Sequence, residues 1–81
     1  MQEYEIKELL LQKDEKFREV FVEHQLCEHK LEELKVKSHL TDEEHRARKE
    51  IKKRKLILKD KMYKLISDFT RSMEKTSGAR G

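Results

Sequence analysis

The sequence predicts an all-α fold: an antiparallel two-helix hairpin of coiled-coil type. Three observations carry this reading. Apolar residues recur at three- and four-residue steps, the spacing that places side chains on one helical face. Of the 81 residues, 46% are charged and 35% hydrophobic, a composition of long solvated helices and too lean for a deep core. Proline is absent and there are two glycines, Gly78 and Gly81, whereas a β-sandwich or barrel needs turn residues every 8–12 positions or so.

The elements follow in chain order. Ile6, Leu10, Phe17, Val20, His24, Cys27, Leu31 and Leu34 form a heptad seam whose hydrophobicity is broken only at Lys13 and His24. Asp14 is placed to cap a helix starting at Glu15, because its carboxylate can accept from the first orphan amides. The pattern therefore predicts a short helix over about 3–12 and a long one over about 15–37, or one continuous helix kinked near Asp14. Ser38-His39-Leu40 separates two periodic segments. Thr41-Asp42-Glu43-Glu44 then reads as a capping box, with Leu40 as the staple before it and three acids on the positive end of the dipole. The second long helix is expected over about 42–70, with a seam of Ala47, Ile51, Lys55, Leu58, Met62, Leu65 and Phe69. Residues 1–70 make one domain in this reading, and 71–81 a flexible polar tail.

So short a connection makes the two long helices antiparallel neighbours. If residue 38 faces 41, facing positions sum to about 79. Val20 then meets Leu58, Phe17 meets Met62, and Leu10 meets Phe69. His24 falls opposite Lys55, a polar pair on an otherwise apolar seam, with Glu23 or Glu28 near enough to accept from the ammonium. Leu56, Ile57 and Tyr63 lie off the seam, as does Phe21 on the first long helix. A two-helix hairpin leaves them uncovered, so they are the candidates for an interface.

Charge is divided along the chain. Residues 1–45 hold 7 Lys/Arg against 13 Asp/Glu, a net of −6, and residues 46–81 hold 13 against 4, a net of +9. The acidic first half is expected to pair with the basic second half. The stretch from Arg46 to Lys64 carries ten Lys/Arg against Glu50 and Asp60. Its alternative use is sequence-independent binding of nucleic acid, for which Arg48, Lys49, Lys52, Lys53 and Lys59 are the candidate contacts. Tyr63 is the only aromatic in that stretch, so base stacking has little to work with.

A resemblance emerges from two segments. The run Ile51-Lys52-Lys53-Arg54-Lys55-Leu56-Ile57-Leu58-Lys59-Asp60-Lys61-Met62 resembles the signature of the YdcH-like family of small bacterial proteins. Phe17, His24, Glu28, Leu31 and Leu34 are similar to its upstream element, with Glu28 where that family has Asp and Cys27 where it has Leu. Thr41-Asp42-Glu43-Glu44 matches its acidic restart. The resemblance covers about residues 6–66. It implies a helical hairpin of the kind also described within myosin and kinesin heavy chains, and it implies no biochemical activity.

Sites for chemistry are scarce. His24, Cys27 and Glu28 share a helical face, but zinc wants four ligands and no second pair is evident. His24 reads as a seam histidine that helps to fix register. Cys27 reads as a small seam residue, because a hairpin seam offers a thiol no concave substrate site. Both glycines sit in the tail, so there is no phosphate-cradling loop. No metal, cofactor, catalytic residue or small-molecule substrate is expected. A lone cysteine without a signal-peptide pattern predicts a cytoplasmic location, and the apolar runs are too short for a membrane span. The expected function is that of a non-catalytic helical protein which self-associates or docks a helical partner.

Overall fold

The computed structural model describes residues 2–78, which form three helices: α1 (Glu3–Lys13), α2 (Glu15–Lys35) and α3 (Asp42–Gly78). The chain is all-α. The short first helix allowed for before Asp14 stands as a separate packed element, so the chain has three helices and is not a hairpin of two alone.

Asp14 separates α1 from α2. Its backbone is extended (φ −113°, ψ 108°), and its Oδ1 accepts from the Phe17 amide at 3.1 Å. Arg18 closes the joint from the other side, donating from Nη1 to the carbonyls of Leu11 (3.0 Å) and Gln12 (3.3 Å). Those carbonyls have no partner inside α1, so each helix end at the joint gains a side-chain partner.

The bend is a reversal. Tyr4 and His24 stand ten residues to either side of Asp14, and a straight helix would hold them about 30 Å apart. They instead line one cavity of about 220 Å³, together with Glu3 and Lys7 of α1 and Lys59, Met62, Tyr63 and Ile66 of α3. Thus α1 folds back along α2 and lies against α3. The molecule is three helices thick at this end and measures 59 × 19 × 18 Å, its length set by α3.

The core follows from that arrangement. Ile6, Leu10, Phe17, Val20, Leu58, Met62 and Ile66 form one buried cluster, in which Phe17 and Leu58 are fully enclosed. Leu11, Phe21, Cys27, Leu65 and Phe69 pack against it half-buried. Ile66 is absent from the expected seam, yet it is buried where Leu65 is only half-covered. The cause is α1, which covers a flank of α3 that a two-helix hairpin would leave open. Ala47, expected on the seam, is exposed, because only α2 and the connection stand near that end of α3.

The connection keeps its predicted chemistry. The Thr41 amide donates to Glu44 Oε1 (3.0 Å), and the Glu44 amide donates to Thr41 Oγ1 (3.1 Å). This reciprocal box starts α3. Lys37 then reaches the same Glu44 carboxylate and ties the start of the connection to the first turn of α3. Where the sequence reading ends the last helix near 70, α3 continues to Gly78. Nothing between Phe69 and Gly78 is a proline or glycine to stop it. The rest of the expected tail, 79–81, lies outside the described residues.

Candidate functional site

Exposed large apolar residues are spread over the molecule, Val22, Leu26, Val36 and Met73 among them, and three of the others fall together. Leu56 and Tyr63 are two turns apart on α3, and they remain 62% and 51% exposed. Tyr4 of α1, 66% exposed, lines the same cavity as Tyr63 and extends the patch across the α1–α3 junction. Tyr4 was not legible as part of this face from sequence, since only the reversal at Asp14 brings it beside Tyr63. Ile57 is also exposed but points from a different side of α3, one residue on from Leu56 and hence about 100° round the helix. Phe21 is half-buried against the core, so most of its ring is used within the chain.

The polar seam residues divide between α2 and α3. The Lys55 ammonium lies 3.4 Å from Glu28. His24 lines the cavity that Lys59 borders, and its Nε2 is buried without a hydrogen-bond partner. One turn before Glu28, Glu23 accepts from Arg54 at 2.6 Å. This bond, with the charge of Glu23, holds the Arg54 guanidinium above its ordinary pKa. Glu44 is held below the usual carboxylate range, first by the hydrogen bond from Lys37 and then by that from the Thr41 backbone.

The basic stretch of α3 is mostly left to solvent. Among the described residues, Arg54 and Lys55 are the members of the run from Arg46 to Lys64 that form ion pairs with α2. Arg48, Lys49, Lys52, Lys53 and Lys59 are all exposed. The acidic helix therefore neutralises much less of this charge than the opposed net charges of the two halves predict. The geometric reason is that the basic residues surround α3, whereas α2 meets it along one side.

Cys27 is half-buried against the core. Among the described residues, no group of three or more His, Cys, Asp or Glu side chains is placed to hold a metal ion. No described helix is long and apolar enough to cross a membrane.

No family model matches this chain, and neither does any curated protein or solved structure to which it was compared.

Proposed function

We propose that this chain is a non-catalytic helical interaction protein, which self-associates or docks a helical partner through the Tyr4–Leu56–Tyr63 face. The observation that carries it is the exposure of Leu56 and Tyr63 on one side of α3. Together with Tyr4 they leave apolar surface in water next to a core that is itself small. Covering such a patch recovers roughly 25 cal/mol per Å² of apolar area, a large increment for a chain of this size. The pairing of α2 with α3, read as a hairpin of coiled-coil type, supplies a rigid support for it. The non-catalytic reading rests on Cys27 and His24: the nearest approach to a nucleophile and base is set into the packed face. Kinship with the YdcH-like small proteins rests on the residue pattern alone, and a cytoplasmic location on the lone cysteine.

Sedimentation equilibrium at micromolar concentration tests this reading. A dimer or larger species is expected for the wild type, and a monomer for Leu56→Glu with Tyr63→Glu. If no homo-oligomer forms, an acceptable result requires a helical partner whose binding the same double variant abolishes. A monomer for which no variant-sensitive partner exists overturns the proposal.

A second reading has its own observation, the cations between Arg46 and Lys64 that form no ion pair among the described residues. Non-specific binding of nucleic acid through Arg48, Lys49, Lys52, Lys53 and Lys59 would weaken steeply with salt, by about 0.9 in log–log slope per duplex phosphate contacted. Fluorescence anisotropy with a labelled duplex across a salt series tests it. A flat response excludes it.

A further inference from the structure

At the end of the molecule away from α1, the last turns of α2, the connection and the first turns of α3 enclose a cleft of about 650 Å³. That volume is in the range of small-molecule sites, about 300–1,000 Å³. Leu31, Leu34 and Leu40 give it an apolar floor, and Leu34 is buried there. The rim is cationic from both walls: Lys35 from α2, and Arg48 and Lys52 from α3. Lys37 also borders it, but its charge is taken by Glu44. Glu32 is the single carboxylate in the lining, and His39 and His45 add ring nitrogens. His45, Arg48 and Lys52 follow steps of three and four, so one face of α3 presents all three.

A solvated charge run points its cations in all directions. Here those of two helices border one concave space, over leucines that are themselves half-buried or buried. We propose that this cleft binds a soluble phosphate ester. The phosphate sits on Arg48 and Lys52, where the guanidinium fork suits its paired oxygens. An apolar or aromatic group of the same molecule covers Leu31 and Leu40. Ser38 adds a hydroxyl to the lining, and the proposal is of binding alone. The site is independent of the Leu56–Tyr63 face and is distinct from diffuse attraction to α3, because Lys49 and Lys53 lie outside the lining.

Isothermal titration calorimetry with ATP and with inorganic triphosphate, at about 0.15 M salt, tests it. One ATP per chain is expected, with triphosphate binding more weakly for want of the apolar group. Arg48→Gln with Lys52→Gln should weaken ATP binding by about tenfold or more, the loss of one charge-assisted hydrogen bond at the least. Both residues are exposed and form no ion pair among the described residues, so the double variant should retain the wild-type thermal midpoint by circular dichroism. Arg48→Lys, which keeps the charge and loses the fork, gives a second and smaller reduction. Lys49→Gln with Lys53→Gln should leave ATP binding unchanged, and an equal loss in both double variants would show a diffuse field and overturn the site. Absence of binding to ATP overturns it too. Vesicles of phosphatidic acid in phosphatidylcholine separate a lipid phosphate from a soluble one: no cosedimentation is expected, and vesicle binding without ATP binding overturns the assignment to a soluble ligand.

Discussion

Lys55 and Glu28 meet at 3.4 Å between α3 and α2, while His24, one turn before Glu28, has its Nε2 buried without a hydrogen bond. The polar layer is thus satisfied on one side only. Replacing His24 by Leu should raise stability by about 1 kcal/mol, the cost of an unmet buried polar group. Urea denaturation checks this, and a lower midpoint would mean that the ring is satisfied in solution. Glu28→Gln should cost no more than about 1 kcal/mol, because both partners of the ion pair are substantially exposed.

Phe17 and Leu58 are both fully enclosed, and they are the two positions where truncation should matter most. Phe17→Ala should cost about 3–5 kcal/mol. A single small core supplies about that much in total, so the variant should be largely unfolded by circular dichroism at room temperature. Phe17→Leu, which keeps most of the volume, should remain helical and cooperative.

Asp14 contributes the cap that starts α2. Asp14→Ala removes that acceptor and should cost about 1 kcal/mol. It also favours a continuous helix, which would draw Ile6 and Leu10 away from the core. Hydrogen exchange should therefore show α1 losing protection before α2 or α3. Uniform loss across all three helices would contradict the one-residue joint.

Glu44 sets an acid dependence. Its folded pKa is depressed below the ordinary 4.5 by Lys37 and Thr41. The stabilisation is therefore complete above about pH 4.5 and is lost as pH falls through the lower, folded value. As pH falls below about 4.5, wild-type thermal midpoints should fall more steeply than those of Glu44→Gln, which keeps an acceptor for the Thr41 amide but has no charge to lose. The difference should shrink in high salt, since the pair is exposed to solvent.

Local chemistry was readable where it acts over three or four residues. The Thr41–Glu44 box and the Asp14 cap follow from side chains reaching adjacent amides, and both are present. The apolar periodicity marked Ile6, Leu10, Phe17, Val20, Leu34, Leu58 and Met62, all of them buried. Ile66 and the partial burial of Phe21 were not readable, because a heptad seam describes contact with one neighbour and α1 brings a second. Tyr4 joined the exposed face for the same reason. The hairpin-end cleft was hidden too. His45, Arg48 and Lys52 look like ordinary solvated positions until the connection and Lys35 are set around the same space.

A one-residue joint would let the docked helix be exchanged between two copies. Ile6 and Leu10 share a buried cluster with Met62 and Ile66, and the stripe that seals this core within a chain would seal it as well between two chains. A change of the Asp14 dihedrals would free α1 without unwinding a turn of either helix, at the cost of the Arg18 bonds to Leu11 and Gln12. Were a second copy to supply the replacement helix, the reciprocal swap would restore every apolar pairing at the cost of association alone. Dimers built that way would separate slowly, on the timescale of opening the core, and would keep Leu56 and Tyr63 free for another partner.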